Sequence, residues 1–468
     1  MRVDLSSAGE TPADFERFLS SFDEPPVHSL QLNTLRGADR SGLPFSLSDP
    51  PIPWNPDGFY YEETDDNRPG RHPLHDAGAF YIQEASAMLP ARMLLSADND
   101  SSRHLRVLDL CAAPGGKSVQ LALTMRGQGL LVSNEIHPAR AKILSQNIER
   151  MGIRNAIVLN ESPERLAAAF PAFFDRILVD APCSGEGMFR KNPEAIREWS
   201  PDAVRLCAER QRTILRAAAD MLAPGGRLVY STCTFAPAED EEQIASFLAD
   251  HPDFTPEKQE KLLPHRIHGE GHFSALLLRE GTVPIPDAGR FSAGIARSGR
   301  AGKGAGSSQA GIPGKALAEE IRVWLSSLLC DPVCIDFDPA RLILFGDHLY
   351  LVPPCLPDLH GLRVLRPGLH LADIRPNRKE NRIEPAHALS HALSPSQVFR
   401  CAELTDDEAA AFLNGQTLRP DRLIHAGDVD GTAAGYVLMC CRGFSLGWAR
   451  AGAGMLKNRY PKGIRTAG

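Results

Sequence analysis

Two cysteines in this sequence stand where a thiol can do chemistry. Cys183 lies in the run Asp180-Ala181-Pro182-Cys183-Ser184-Gly185-Glu186-Gly187, and Cys233 in Ser231-Thr232-Cys233-Thr234. Each run follows a short apolar segment, residues 176–179 and 227–230, that reads as a β-strand. A structural cysteine is a small apolar side chain inside a strand or helix. These two instead sit on turn-forming residues at strand ends, with Asp180 beside them. A third run, Leu110-Cys111-Ala112-Ala113-Pro114-Gly115-Gly116-Lys117, follows a strand ending in Asp109 and leads into a helix. Gly115 and Gly116 allow a tight turn and close approach of a ligand to the unpaired N–H groups of that helix. The spacing is not that of a P-loop, so a triphosphate is not implied. Glu135 ends the next strand, where a carboxylate can accept hydrogen bonds from both ribose hydroxyls. The glycines alone describe an ordinary turn; with Glu135 in register they point to a nucleoside-type cofactor.

These segments need a scaffold that gathers strand ends. Residues 106–110, 130–135, 156–159, 176–179 and 227–230 read as strands, and 117–125, 138–151 and 202–222 as helices. Pro138 suits a first helical turn, and Pro224-Gly225-Gly226 ends the long helix. Alternating strands and helices imply right-handed crossovers and a parallel, doubly wound, Rossmann-like α/β sheet over residues 101–280. In such sheets ligands bind beyond the carboxyl ends of the strands, where all three runs lie. Residues 1–100 are less regular. A helix at 12–22, an alternating strand at 28–35 and a helix at 81–95 suggest a small α+β accessory domain. Residues 281–316 read as a flexible linker, with Gly299-Arg300-Ala301-Gly302-Lys303-Gly304-Ala305-Gly306-Ser307-Ser308 at its centre. Beyond it, an amphipathic helix at 316–329 and short strands at 343–345, 349–352 and 435–438 predict a β-rich region over 317–468. No internal repeat is evident.

The chain has 468 residues, 51 Lys and Arg against 58 Asp and Glu, and a net charge of -7. Its composition is that of an ordinary globular protein, and its total charge argues mildly against a nucleic-acid partner. The total is unevenly spread: residues 1–280 hold 29 basic and 40 acidic side chains, and 281–468 hold 22 and 18. Met1-Arg2-Val3-Asp4-Leu5 leads into polar Ser6-Ser7 without an apolar core, so no signal peptide is expected. No long apolar run suggests a membrane span. The ten cysteines form no CxxC pair and suit a reducing cytoplasm.

The runs LDLCAAPGGK, DAPCSGEG and YSTCTF, in this order and spacing, resemble the Sun/Nop family of RNA cytosine-5 methyltransferases. The likeness extends upstream through HPLHDAGAFYIQEASAMLPARML, residues 72–95, and downstream through Pro264–Phe273 (PHRIHGEGHF). The tail LKNRYPKGIR, from Leu456 to Arg465, resembles the bacterial ribosomal-RNA branch called RsmF. The resemblance implies S-adenosylmethionine as cofactor, held by Cys111, Ala112, Ala113, Pro114, Gly115, Gly116, Lys117, Glu135, Ser162 and Asp180. It implies Cys233 as the thiolate that adds to C6 of the target cytosine, and Cys183 as the thiol that assists elimination and release. Asp180 would bond the N3/N4 edge of the base. Lys117 would orient groups near cofactor or base, its role open. It also implies a C-terminal PUA-like RNA-binding module and an RNA substrate, most readily small-subunit ribosomal RNA. Two runs depart from the family pattern. Asn160-Glu161-Ser162 stands where an Asp is usual, leaving Ser162 or Glu161 for the cofactor's adenine. Gln31-Leu32-Asn33-Thr34-Leu35-Arg36 has Gln where an Arg is usual, one charge fewer on an expected RNA-facing strand.

RNA contacts are expected from residues 431–468, which hold no Asp or Glu and carry Arg442, Arg450, Lys457, Arg459, Lys462 and Arg465, with Trp448 and Tyr460 as stacking surfaces. A second basic stretch comprises Arg363, Arg366, Arg375, Arg378, Lys379 and Arg382. Arg190 and Lys191, just past Cys183, are placed to grip a phosphate beside a flipped base. His265, His268 and His272 have no metal-ligand spacing and are read as structural or RNA-facing; no metal is expected. The protein is expected to be a monomer. The competing readings are a transfer-RNA methyltransferase and a non-catalytic RNA-binding assembly factor on the same fold, and intact Cys183, Cys233 and Asp180 speak against the second.

Overall fold

The computed structural model describes residues 11–95, 104–282, 310–375, 381–419, 435–452 and 454–465. The centre of the expected linker lies outside the described residues. At the heart of the fold is an eight-stranded sheet. Its strands are β4 (Arg106–Asp109), β5 (Leu130–Asn134), β6 (Ala156–Leu159), β7 (Phe174–Asp180), β8 (Leu222–Thr232), β9 (Phe254–Leu262), β10 (His272–Arg279) and β14 (Val364–Arg366), ordered β14-β6-β5-β4-β7-β8-β10-β9. The five strands from β6 to β8 are parallel. Their apolar runs, such as Leu130-Leu131-Val132 and Ile157-Val158-Leu159, are wholly buried because helices cover both faces. The helices Pro138–Arg150, Pro163–Ala169 and Pro201–Met221 each open on a proline; Ser162 and Ser200 cap the latter two.

The sheet is mixed rather than wholly parallel, which corrects the expectation from sequence. β10 pairs antiparallel with β8 and β9 with β10. β9 forms an edge rich in charge, FTPEKQEKL, which disfavours pairing with another chain. At the other edge β14 returns from beyond the linker and pairs antiparallel with β6. The C-terminal region therefore completes the catalytic sheet. Pro224-Gly225-Gly226 does not separate helix from strand either: β8 begins at Leu222 and carries these residues through an irregularity opposite β7.

The N-terminal domain has a three-stranded sheet, β1 (Ser29–Leu32), β2 (Gly58–Tyr60) and β3 (Phe80–Ile82), with the helix Pro12–Ser20 before it. The expected helix over 81–95 is instead β3, a 3-10 turn and a short helix, Leu89–Leu95. β1 is buried along its whole length, and Gln31 meets Asn55 rather than solvent. It is therefore not an RNA-facing strand. The C-terminal region holds two further sheets. One is β11 (Ala310–Gly311), β12 (Leu342–Phe345), β13 (His348–Leu351), β15 (Leu369–Arg375) and β16 (Arg382–Pro385). The other is β17 (Cys401–Leu404), β18 (Gly435–Cys441), β19 (Phe444–Gly452) and β20 (Met455–Asn458). The last sheet shares one apolar core with the N-terminal domain, in which Leu30, Leu74 and Phe80 meet Phe412, Met439 and Leu446. The first and last described modules thus clasp each other. Phe412→Ala should cost about 3–5 kcal/mol in urea unfolding, whereas Phe399→Ala, at a half-exposed ring, should stay within about 0.5 kcal/mol.

Candidate active site

The two thiols meet. β7 and β8 pair with Asp180 opposite Ser231, so the turns that leave both strands run side by side. Cys183 Sγ lies 3.3 Å from Cys233 Sγ, and both cysteines are free and partly buried. The turns are locked by a buried polar cluster. Glu239 accepts from the Ser184 backbone N–H at 3.0 Å, from the Ser184 hydroxyl and from Gln211 at 2.7 Å. Its backbone carbonyl accepts from Tyr230. Glu186, also buried, accepts from the Phe235 backbone and the Trp199 indole. Gly187 donates to the Cys233 carbonyl at 2.8 Å, and a Cβ there would fall 2.8 Å from that oxygen. The hydrogen bond to Cys233, together with burial, pushes the Cys183 thiol well up. Cys183 therefore keeps its proton and can donate it towards Cys233.

Asp180 faces the same cleft with about a third of its side chain exposed. Lys117 Nζ lies 2.8 Å from one oxygen; Ser231 donates to the other at 2.9 Å, and His272 Nε2 approaches that oxygen at 3.6 Å. Burial opposes the charge, but Lys117 and His272 outweigh it and hold the carboxyl well below its usual range. His272 itself is pushed down, by burial first and by Lys117 second. His272, expected to be structural or RNA-facing, instead stands in the site, because it opens β10, the strand beside β8.

The glycine loop is a cradle at the carboxyl end of β4. Gly115 has φ of 119°, and a Cβ on Gly116 would meet Gln83 and Tyr81 at 3.1 and 3.2 Å. Asp109 accepts from Ser118 at 2.7 Å, and its other oxygen is buried without a partner. Burial pushes this carboxyl up to about 7; Ser118 opposes the shift, and nearby Asp180 adds to it. Burial and the surrounding carboxylates push the Cys111 thiol up. Glu135 caps the backbone of His137 at 2.9 Å and stands 3.5 Å from Arg140, which also donates to the Ala113 carbonyl. Asp180, held ionised, and Glu135 thus place carboxylates around the loop, which suits the sulfonium of S-adenosylmethionine. Ser162 spends its hydroxyl on capping a helix at Arg165 N–H, and Glu161 is fully buried against Arg165 and the Arg363 backbone. Glu161 is thereby committed to docking β14.

The expected RNA contacts fare less evenly. Arg190 is buried, bonded to Glu270 at 2.6 Å and to the carbonyls of Ser21 and Gly269. It ties the N-terminal segment to the catalytic domain and cannot grip a phosphate. Lys191 lies 3.8 Å from the same Glu270. Trp448 and Tyr460 are buried, the indole donating to the Ala386 carbonyl, so neither offers a stacking face. Arg363, Arg366 and Arg382 pair with Glu161, Glu149 and Glu384; Arg378 and Lys379 lie outside the described residues. Arg459 approaches Glu384 at 3.7 Å, and Arg465 donates to the Tyr460 carbonyl. Lys457 and Lys462 are exposed.

A doubly wound sheet with a glycine cradle and carboxylates at its strand ends defines an S-adenosylmethionine-dependent methyltransferase. A solved structure named PH0851 shares the fold with a TM-score of 0.51 and 28% identity, over 58% of this chain and 64% of its own. So does NSun6 from Pyrococcus horikoshii, solved with SFG, at a TM-score of 0.50 and 19% identity, over 58% of this chain and 95% of its own. Residues 93–278 match the family model for the 16S rRNA methyltransferase RsmB/F, and 7–85, 326–393 and 399–466 match the RsmF N-terminal, first C-terminal and PUA domains. Ribosomal RNA small subunit methyltransferase F of Cronobacter sakazakii is 31% identical, over 95% of this chain and 91% of that protein. Its counterpart in Escherichia fergusonii is 32% identical, over 98% and 94%. The chain belongs to the RsmF family of 16S rRNA methyltransferases, cytosine-5-methylating enzymes that use S-adenosylmethionine. Among the described residues no helix is long and apolar enough to cross a membrane.

The corrected role of Arg190 has a direct test. Arg190→Met should lose about 3–5 kcal/mol of stability in urea by stranding the Glu270 carboxylate. Its RNA affinity, measured below the unfolding transition, should match the wild type.

Proposed function

We propose that this protein forms 5-methylcytidine in 16S ribosomal RNA by covalent catalysis, with Cys233 as nucleophile. The observation that carries the reading is the 3.3 Å pairing of Cys183 and Cys233 beside Asp180 at the mouth of the cofactor cradle. Cytosine C5 is too weak a nucleophile to take a methyl group unaided. A thiolate of Cys233 adds to C6 and makes C5 electron-rich. Bound S-adenosylmethionine supplies the methyl group as an electrophile. Asp109 and Glu135, with the backbone from Cys111 to Gly116, are the groups that would hold it. Asp180, kept ionised by Lys117, accepts from the exocyclic amine of cytosine and disfavours the carbonyl that uracil carries there. Lys117 thereby acts on the base through Asp180. In the elimination a base from solvent takes the C5 proton, that electron pair restores the C5–C6 double bond, the C6–Sγ bond breaks, and Cys183, which retains its proton, passes it to the departing Cys233 Sγ 3.3 Å away. The PUA module, through Lys457 and Lys462, adds phosphate contacts. The enzyme acts in the cytoplasm as a monomer.

The two thiols should separate by phenotype. RNA carrying 5-fluorocytidine should trap wild-type protein as an adduct on gels, and Cys233→Ala should form none. Cys183→Ala should accumulate an adduct on ordinary RNA with little turnover. Normal turnover by Cys183→Ala, or wild-type RNA binding without a 5-fluorocytidine adduct, sinks this division of labour. Mapping 5-methylcytidine in 16S RNA from cells with and without the gene identifies the modified position.

A further inference from the structure

A cavity of about 500 Å³ opens where the catalytic sheet meets the modules on either side of it in sequence. It is bounded by residues just ahead of β5 and β6, at the end of the sheet remote from the thiols. Its walls include Arg36 from the N-terminal domain, Arg126 and Arg154 from the catalytic domain, and Arg341 and His391 from beyond the linker. Among the described residues, Arg341 is the one of these four arginines that meets a carboxylate, that of Asp336. Arg36 donates to the Ala77 carbonyl and the Ser445 hydroxyl, and Arg154 to the carbonyls of Cys334 and Ala392, all neutral acceptors. Arg126 is exposed and, among the described residues, forms no ion pair. His391 is 1% exposed; its Nε2 lies 3.1 Å from His387 Nε2, and its Nδ1 has no hydrogen-bond partner among the described residues. Burial pushes Arg36 down to about 10; Cys440 opposes the shift, and the like charges of Arg154 and Arg150 add to it.

In a chain with seven excess negative charges, three guanidiniums around one cavity with no carboxylate partner among the described residues make a local positive field. Guanidinium forks match the geometry of phosphate oxygens. We propose that this cavity binds a phosphate group, carried by the RNA backbone or by a free phosphorylated compound. The proposal rests on the RNA-methyltransferase reading only for the first of those two sources. β5, of five residues, spans roughly 17 Å between this end of the sheet and the cofactor end. A backbone phosphate held here would therefore belong to a nucleotide well removed from the target cytosine.

Arg126→Ala tests this in the full chain, since the exposed Arg126 side chain forms no ion pair or hydrogen bond among the described residues. Thermal unfolding is followed with sodium pyrophosphate as probe, and binding of a fluorescein-labelled single-stranded RNA by anisotropy across a salt series. Pyrophosphate should raise the melting temperature of wild type and do so less for Arg126→Ala. If the source is RNA, its Kd should rise roughly threefold to tenfold in the variant, and the salt slope should fall by about one. Methyl transfer at saturating RNA should stay unchanged. Pyrophosphate protection with unaltered RNA affinity assigns the site to a free phosphorylated compound. Neither protection nor altered RNA affinity overturns the proposal. Protection that persists in a protein unable to methylate RNA brings down the RNA reading and leaves the anion site standing.

Discussion

The register of β7 against β8 is the constraint on which the chemistry depends. Asp180 opposite Ser231 sends two turns off the sheet in parallel and brings together thiols fifty residues apart in sequence. A slip of one residue would turn every side chain of one strand to the opposite face. The bond from Ser231 to Asp180 holds this register at the strand ends. Beyond the strands the backbone has no ladder to hold it, and buried carboxylates take over. Glu239 and Glu186 lie within reach of backbone N–H groups that would otherwise be orphaned on these turns. The turns are thus tied down where the thiols meet, and Asp180 beside them keeps about a third of its side chain exposed.

A second theme is the placement of charge. Most cations that looked available along the chain are committed to holding modules together. Arg190 fixes the N-terminal segment through Glu270, Arg366 fixes β14 through Glu149, and Arg36 and Arg154 bridge domains through backbone carbonyls. Such arginines provide directional bonds across interfaces where no regular secondary structure continues. This is why a run of basic residues in sequence was a poor guide to exposed positive charge. The uncompensated cations come from separate domains and only folding assembles them.

The central domain was legible because its signals are local. Short apolar strands, proline-led helices and glycine turns follow one another in order, and each motif falls at a strand end. The converging thiols were legible for the same reason. What escaped was non-local. β14 is three residues, Val364-Leu365-Arg366, with nothing in its composition to mark it as the edge of a sheet some two hundred residues away. β10 read poorly because antiparallel pairing breaks the alternation that announced the rest. His272 carried no spacing signal, since its partner Asp180 is reached across the intervening strand β8. Trp448 and Tyr460 looked like stacking surfaces because aromatic residues among arginines look the same in sequence whether buried or exposed.

The return of β14 to β6 also bears on the birth of the molecule. A nascent chain that has emerged only through residue 280 possesses every catalytic residue, yet one margin of its sheet still offers unpaired backbone groups. Translation must reach residue 366 before that margin is covered. At roughly 5–20 residues per second the interval is on the order of 4–17 s, long enough for an exposed strand to find a wrong neighbour. The order of synthesis thus places the last stitch of the catalytic sheet late, after a long intervening segment, and makes maturation of the enzyme depend on its own distal half.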